Sequence, residues 1–291
     1  MAIEKLSPCK VNLLLNILGR RADGFHELET VMHPVQVFDR LVFARSTAGI
    51  ALTCSDPALP TDSRNLVYRA GAAFLEAAKI KEGVSVHLEK RIPLAAGLGG
   101  GSGNAATTLL GLNDLFSRPL SYPGLEVIAA SLGSDVPFFL QGKPVLALGR
   151  GEKIQPLDFF PALRGAAFLV IHPGFGISTA WAYQQLGRFA AALNGRPGRA
   201  QKLISLLETA DLKTAGAEFY NSLEAPALEK YPLLAIFQEF LRSEGAAVTL
   251  MSGSGSSTFA LVESRTGAEV LAEKFKGKFG VINWMATVPV T

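Results

Sequence analysis

A glycine-rich stretch holds the residues best suited to binding a charged group. Residues 93–113 read PLAAGLGGGSGNAATTLLGLN and contain six glycines and no charged side chain. Glycine lets the backbone approach a phosphate closely because no Cβ atom stands in the way. The first N–H groups of a helix have no internal acceptor and lie at the positive end of the helix dipole. The order strand, glycine loop, helix therefore favours a phosphate site, and close packing against a second chain segment is the alternative.

The details of this loop exclude two common nucleotide motifs. It lacks the Gly-Lys-Ser/Thr ending of a Walker A loop, and no G-x-G-x-x-G register fits GLGGGSG. The positive charge that a P-loop lysine would supply must therefore come from elsewhere in the chain.

Lys10 is the first candidate for that charge. It lies in the alternating segment CKVNLLLNIL, where Lys10 and Asn12 share one face and Cys9, Val11 and Leu13 share the other. A charge on an edge strand, or a side chain whose ammonium reaches solvent, would give the same pattern.

Asp135 and a late glycine segment are further candidates. Ser121 and Gly133 predict the N-cap and C-cap of a helix, and Asp135 follows two residues later. The Asp135 carboxylate is either a functional group or simply the N-cap of the next helix. The segment MSGSGSSTFA, residues 251–260, is either part of the site or an ordinary hairpin turn.

Composition excludes several classes of function. The chain of 291 residues has a formal net charge of +3, too small to suggest a nucleic-acid surface. Two cysteines exclude a disulfide framework, and the four histidines show no metal-ligand spacing. The N-terminus lacks the apolar core of a signal peptide, and the uncharged runs 92–113 and 246–262 are broken by glycine and polar residues. We therefore expect a soluble cytoplasmic protein with no membrane or nucleic-acid partner.

The elements that position these candidates are predicted to be mixed strands and helices. Alternation predicts strands in the first 54 residues and at 83–89, and helical periodicity predicts a helix at 65–80. The second half is predicted to contain a strand, helices near 179–190, 200–208, 211–219 and 232–243, a hairpin around MSGSGSS, and final strands. We place a domain boundary near Pro156, which gives two α+β domains, 1–155 and 156–291.

The motifs, taken together and in this order, resemble the kinase superfamily of galactokinase, homoserine kinase, mevalonate kinase and phosphomevalonate kinase. Its three signatures are matched by SPCKVNLLLNILGRRADGFHEL, PLAAGLGGGSGNAA and LMSGSGSSTFA. The segments GRRADGFHEL, RNLVYRA, GSDVPFF and IHPG are similar to one group in that superfamily. That group phosphorylates a hydroxyl of an alcohol bearing a cytidine diphosphate, on the non-mevalonate route to isoprenoids.

The resemblance implies a two-domain α+β small-molecule kinase fold with the active site in the interdomain cleft and with residues 1–155 binding ATP. It implies ATP as phosphoryl donor, Mg²⁺, and a small-molecule substrate with a cytidine diphosphate moiety. Lys10 and Asp135 match the catalytic pair. The positions that match the nucleotide site are Asn65, Leu66, Pro93, Leu94, Ala95, Ala96, Gly97, Leu98, Gly99, Gly100, Gly101, Ser102 and Gly103, with Ser102 also matching a Mg²⁺ ligand. The positions that match the substrate side are Asn12, Phe25, His26, Thr179 and Tyr183.

Two positions depart from the superfamily group. Gly103 stands where a second serine is usual, which removes a hydroxyl near the phosphates and suggests altered nucleotide affinity. Phe25 stands where tyrosine is common, which keeps the ring. Two alternatives stay open: a kinase of the same superfamily with a mevalonate-type or sugar-type acceptor, and a non-catalytic nucleotide-binding module. RRADGFHELET argues against the first, and the presence of both Lys10 and Asp135 against the second.

Overall fold

The computed structural model describes residues 2–281 and 284–290. The strands, in chain order, are β1 (Ala2–Arg20), β2 (His26–Ser46), β3 (Ile50–Cys54), β4 (Gly83–Glu89), β5 (Val145–Gly149), β6 (Lys153–Pro156), β7 (Ala167–His172), β8 (Tyr220–Asn221), β9 (Val248–Met251), β10 (Thr258–Val262) and β11 (Trp284–Pro289). The helices are α1 (Leu66–Ala77), α2 (Gly100–Leu115), α3 (Tyr122–Leu132), α4 (Phe138–Gln141), α5 (Thr179–Gln185), α6 (Ala190–Leu193), α7 (Arg199–Thr209), α8 (Leu212–Gly216), α9 (Glu224–Lys230), α10 (Pro232–Ser243) and α11 (Arg265–Phe279). This mixture confirms the predicted α+β class.

Contacts between Cα atoms divide the chain into two units that are discontinuous in sequence. The first unit comprises Met1–Cys9, Val37–Ile92 and Gly99–Gly142, and the second comprises Lys10–Gln36, Pro93–Leu98 and Lys143–Thr291. Strands β1 and β2 contribute residues to both units. The division of the sequence at 155/156 stays a prediction.

The first unit is built from a small sheet and the helices α1 to α4. Strand β4 pairs with β2 antiparallel, from Arg40 opposite Glu89 to Ser46 opposite Gly83, and β3 runs parallel to β4. Helix α2 lies so close to β2 that a Cβ atom on Gly111 would be only 2.5 Å from the Phe43 ring. A larger residue at position 111 would therefore push α2 away from the sheet.

The second unit contains a four-stranded antiparallel sheet in the order β11-β7-β10-β9. Helices α10 and α11 cover this sheet with an apolar cluster in which the Phe237 and Phe275 rings lie 4.8 Å apart. In the same unit, β5 pairs antiparallel with β2, and β8 runs parallel to β1, with Leu15 opposite Asn221. The hairpin predicted around MSGSGSS is confirmed, because β9 and β10 are antiparallel neighbours.

One element after the hairpin was predicted wrongly. The sequence predicts only strands there, whereas the chain forms α11 before β11. Glycines at 267 and 277 weaken the local preference for a helix. The helix forms because Ala268, Leu271, Ala272 and Phe275 are buried on one face, and because the Ser264 hydroxyl accepts a hydrogen bond from the N–H of Gly267.

None of the helices in the described ranges combines the length and the apolar character needed to cross a bilayer.

Candidate functional site

Lys10 lies on β1 with only 3% of its surface exposed. Its Nζ donates hydrogen bonds to the Asn12 Oδ1 at 2.5 Å and to the Gly97 carbonyl oxygen at 3.1 Å. Its backbone N–H also donates to the Leu98 carbonyl oxygen at 2.9 Å. A buried ammonium held by these contacts is not a solvent-facing charge, so the edge-strand and solvent-reaching interpretations of Lys10 are wrong.

Asn12 is held in one orientation by a chain of hydrogen bonds. Its Nδ2 donates to the Thr30 Oγ1 at 2.9 Å, and the Thr30 hydroxyl donates to the Leu14 carbonyl oxygen at 2.5 Å. Since the amide nitrogen is used in this way, the amide oxygen faces the Lys10 ammonium. Lys10, Asn12, Thr30 and Gly97 are called the lysine cluster below.

The first half of the glycine loop packs tightly against the hairpin loop, residues 252–257. Gly97 has a φ of +76°, and a Cβ atom there would lie 2.1 Å from the Ser252 carbonyl oxygen. The Ser252 hydroxyl donates to the Gly97 carbonyl oxygen at 3.0 Å, and the Ser257 N–H donates to the Ala96 carbonyl oxygen at 3.1 Å. Close packing therefore explains the glycine at position 97. The segment MSGSGSS not only connects two strands but also hydrogen-bonds to the glycine loop.

The second half of the loop has the geometry of an anion site. Gly99, with a φ of +68°, precedes α2 and offers no side-chain cap. The N–H of Gly103 bonds to the Gly99 carbonyl oxygen, which leaves the N–H groups of residues 100–102 without acceptors inside the helix. Gly101 is exposed, and a Cβ atom there would meet only the Leu66 Cδ1, at 3.7 Å. Close packing thus accounts for Gly97, and phosphate binding at residues 99–103 stays a prediction.

Close packing explains why position 103 is a glycine, and the sequence does not reveal this packing. A Cβ atom on Gly103 would lie 2.6 Å from the Pro8 carbonyl oxygen and 3.3 Å from the Phe139 ring. The serine that is usual in the resembled family would therefore require a shift of the surrounding chain in this protein.

A second buried lysine near the start of α2 was missed by sequence reasoning. Lys90 donates to the Asp39 carboxylate and, at 3.1 Å, to the Asn104 Oδ1. Asp39 also accepts the N–H groups of Arg91 and Ile92 at 2.7 and 2.9 Å. The Lys90 Nζ lies 3.4 Å from where a Cβ atom of Gly100 would be, so the Lys90–Asp39 ion pair lies beside the glycine loop. The sequence signal of Lys90 was its position at the end of β4, just before the loop.

Asn65 and Leu66 lie at the beginning of α1. The Asn65 side chain caps that helix, since its Oδ1 accepts the N–H of Val67 at 2.9 Å and its Nδ2 donates to the Pro60 carbonyl oxygen at 2.7 Å. The Leu66 Cδ1 lies near the first turn of α2, 3.7 Å from where a Cβ atom of Gly101 would be. The structure therefore brings Leu66 to the glycine loop and gives Asn65 a capping function.

Of the predicted substrate-side rings, Phe25 is exposed, whereas His26 and Tyr183 are half-buried. Phe25 is 54% exposed in the turn before β2, and the Arg150 guanidinium lies 4.7 Å from its ring centroid. The rings of His26 and Tyr183 are 5.0 Å apart. Burial, with a smaller effect of the Arg20 charge, lowers the pKa of His26 below its usual value. Phe25, His26 and Tyr183 are called the aromatic platform below.

Thr179 and Asp135 occupy different settings. Thr179 is the first residue of α5, and its hydroxyl lies 2.8 Å from the Ser254 hydroxyl in the hairpin loop.

Asp135 is half-buried between α3 and α4. The residue at the N-cap of α4 is Pro137, two positions after Asp135, and the capping interpretation of Asp135 stays open. The predicted caps of α3, Ser121 and Gly133, are confirmed.

Within residues 2–281 and 284–290, no group of three or more His, Cys, Asp or Glu side chains is arranged to hold a metal ion. Mg²⁺ in phosphoryl-transfer sites is commonly held by one or two protein ligands together with substrate phosphates. The Ser102 hydroxyl, in the first turn of α2, could serve as one such protein ligand, with phosphates supplying the others.

Two family models match the chain. Residues 65–143 match the GHMP kinases N terminal domain, and residues 203–281 match the GHMP kinases C terminal domain.

Curated relatives match nearly the whole chain. The 4-diphosphocytidyl-2-C-methyl-D-erythritol kinase of Pelotomaculum thermopropionicum is 38% identical, over 95% of this chain and 94% of its own length. The enzyme of the same name from Thermosynechococcus vestitus is 40% identical, over 89% and 87%.

Solved structures agree. A crystal structure of 4-(cytidine 5'-diphospho)-2C-methyl-D-erythritol kinase superposes with a TM-score of 0.79 at 36% identity and covers 99% of both chains. Homoserine kinase from Cytophaga hutchinsonii gives the same TM-score at 22% identity, which indicates a shared fold.

Proposed function

The chain belongs to the GHMP kinases, in the group of 4-diphosphocytidyl-2-C-methyl-D-erythritol kinases, and from this premise we propose that it phosphorylates a hydroxyl of 4-diphosphocytidyl-2-C-methyl-D-erythritol. It is an ATP-dependent phosphotransferase. The observation that carries the choice of acceptor is identity of 36–40% with relatives of that name over most of both chains.

The lysine cluster supports a direct role in the transfer. Phosphoryl transfer depends mainly on positioning and on stabilising charge at the moving group. Lys10 is fixed by the Asn12 amide and the Gly97 carbonyl, so its ammonium can hold the acceptor hydroxyl and favour its alkoxide character. We assign Asp135, which matches the family's catalytic carboxylate, the role of accepting the hydroxyl proton as the oxygen attacks the γ-phosphorus and ADP leaves.

The glycine loop supports the role of phosphate binding. We assign residues 93–103 to the ATP phosphates, with the unpartnered N–H groups at the start of α2 donating to phosphate oxygens. Leu66, which lies beside Gly101, is assigned to the adenine, and Asn65 is assigned there through its backbone because its side chain caps α1.

Mg²⁺ fits the same end of α2. When bound, it supplies positive charge to the β- and γ-phosphates. Ser102 would hold it together with those phosphates, and the Lys90 ammonium, paired with Asp39, lies near Gly100.

The aromatic platform supports recognition of the cytidine end. Phe25 and Tyr183 offer ring faces to a base, and His26 offers ring nitrogens to its edge. Asn12 and Thr179 are assigned to the reacting alcohol, because Asn12 contacts Lys10 and Thr179 contacts the hairpin loop.

We place the protein in the cytoplasm, where ATP is supplied. Cys9 and Cys54 form no disulfide, which fits a reducing compartment. We also keep residues 1–155 and 156–291 as the proposed domains.

The test is ADP release by the purified protein with four separate acceptors: the cytidyl substrate, mevalonate, homoserine and galactose. We expect release with the cytidyl substrate alone. Equal or faster release with one of the other three would assign the chain a different acceptor, and no release with any of them would favour the non-catalytic alternative.

A further inference from the structure

Asn221 has a buried side-chain amide whose nitrogen and oxygen are both hydrogen-bonded. The nitrogen bonds at the hairpin loop, and the oxygen bonds to the chain just after β8. Asn221 ends β8 and is 2% exposed. Its Nδ2 donates to the carbonyl oxygens of Met251 at 2.7 Å and Gly253 at 2.8 Å. Its Oδ1 accepts the N–H of Leu223 at 2.9 Å, which fixes which end of the amide faces the loop. One side chain thus holds the two residues that flank Ser252.

The loop that Asn221 holds contacts three parts of the proposed site. The Ser252 hydroxyl donates to the Gly97 carbonyl oxygen, which is also an acceptor for Lys10. A Cβ atom on Gly253 would lie 3.0 Å from that carbonyl oxygen and 3.3 Å from the Lys10 Nζ. The next residue, Ser254, bonds to Thr179. A shift of this loop would therefore move the surroundings of the catalytic lysine and of the acceptor-side threonine together.

We propose that Asn221 is a positioning residue for phosphoryl transfer, which sets the position of Lys10 by fixing the Met251 and Gly253 carbonyls on either side of Ser252. The inference rests on the proposed function, because it concerns the rate of that reaction. Asn221 acts through the hairpin loop and Gly97, and it makes none of its hydrogen bonds to Lys10 itself.

Strand β9 has a second anchor, Glu224, so the effect of Asn221 on the loop can be separated from support of the strand. Glu224 accepts the N–H of Met251 at 2.7 Å and the Gln238 amide at 2.6 Å, so it anchors the end of β9 independently. With β9 anchored in this way, loss of the Asn221 donors should release mainly the Gly253 side of the loop. The fold should survive while the geometry at Lys10 loosens.

The test compares three variants in steady-state kinetics with ATP and the cytidyl substrate. Asn221→Leu keeps the branched four-atom side chain but removes both donors and the acceptor, and Asn221→Asp keeps the acceptor for Leu223. Ser222→Ala is the matched control, since Ser222 is fully buried next to Asn221 but accepts its hydrogen bond from the Ile17 N–H, away from the loop. We expect kcat to fall about tenfold to a hundredfold in Asn221→Leu, as small misplacements of catalytic groups do, with much smaller changes in both KM values. Ser222→Ala should keep the wild-type kcat.

The pH profile of Asn221→Asp gives a readout that a merely structural role would not move. A protonated carboxyl can still donate one hydrogen bond to the loop carbonyls, and a carboxylate can donate none. We therefore expect the ratio of variant to wild-type kcat to fall as pH rises, whereas the ratio for Asn221→Leu should stay constant. This profile is measurable even if the leucine variant fails to fold.

The proposal is overturned if folded Asn221 variants keep the wild-type kcat, if Ser222→Ala loses as much, or if the Asn221→Asp ratio does not depend on pH. These outcomes all require a wild-type protein that turns over the cytidyl substrate. If the wild type does not, the proposed function fails first, and the two failures are thereby distinguished.

Discussion

The lysine cluster and the aromatic platform belong to the same unit of the molecule and are built in opposite ways. Lys10 and Asn12 are 3% and 4% exposed, and each is fixed by hydrogen bonds at 2.5–3.1 Å. Phe25 is 54% exposed, and the guanidinium of Arg150, itself an exposed residue, lies over one face of its ring. The contrast matches the division of labour that we propose, with transfer at one end and recognition of a base at the other.

The difference shows which end needs fixed geometry. A catalytic ammonium must be placed within a fraction of an ångström, and buried hydrogen bonds to an oriented amide provide that precision. A ring that stacks on a base tolerates sliding, because stacking depends weakly on exact register. We therefore expect substitutions in the lysine cluster to act on kcat and substitutions in the platform to act on the acceptor KM.

The largest effect is expected from the catalytic pair. Lys10→Ala and Asp135→Asn should each lower kcat by about 10²- to 10⁴-fold, because Lys10 stabilises the attacking oxygen and Asp135 accepts its proton. Steady-state ADP release would measure the loss, and circular dichroism would show that each variant is folded. Near-normal turnover by either folded variant would remove that residue from the proposed mechanism.

The next largest effect is expected at the start of α2. Gly101→Val places a branched side chain where we assign phosphate oxygens, and its Cβ atom would meet only the Leu66 Cδ1, at 3.7 Å. We expect the affinity for a non-hydrolysable ATP analogue to fall about tenfold or more, since hydrogen bonds to charged groups contribute about 1.5–3 kcal/mol each. Isothermal titration calorimetry would measure it.

Gly100→Val tests the same loop less cleanly. A Cβ atom there lies 3.1 Å from the Ile92 Cγ2 and 3.4 Å from the Lys90 Nζ, so this variant also disturbs packing. Gly277→Ala, at an open position of α11, is the control for a glycine substitution in a helix. Unchanged ATP affinity in folded Gly101→Val would leave the loop with a packing role alone.

Local patterns in the sequence predicted the parts of the site that depend on local order. The alternation of β1 placed Lys10 and Asn12 on one face, where they meet. It could not predict that Gly97 would pack against Ser252, 155 positions away along the chain, or that Asn221 would hold that loop. Lys90 was missed because its partner, Asp39, is 51 positions away, and α11 was missed because burial outweighs its two glycines. Contacts distant in sequence leave no periodic signal.

The aromatic platform should respond in KM. Phe25→Ala and Tyr183→Ala should raise the KM for the cytidyl substrate by about fivefold to a hundredfold, given about 1–3 kcal/mol for each stacked base. ATP affinity should change little, and a modest loss of kcat is compatible with this result because remote binding energy also orients the reacting end. Phe159→Ala, at another exposed ring of the same unit, is the control. A fall in kcat without a change in KM would contradict the contrast between the two ends.

The smallest effect concerns His26 and the choice of base. Stacking alone does not distinguish cytosine from uracil, so selection needs a hydrogen bond to the base edge, and a neutral imidazole nitrogen can accept one from the cytosine amino group. Burial lowers the pKa of His26 below its usual value near 6.5. The ring is therefore neutral at pH values above 6.5, and it gains a proton only as the pH falls through the lowered pKa. Protonation turns the acceptor into a donor, which suits the uracil carbonyl. We therefore expect a uridyl analogue to be a poorer substrate at neutral pH by about two- to tenfold in kcat/KM, the contribution of one neutral hydrogen bond, and the preference to shrink below pH 6.5. His26→Gln should make the preference independent of pH. Equal turnover of both analogues at neutral pH would remove base recognition from the aromatic platform and leave it a binding surface for rings in general.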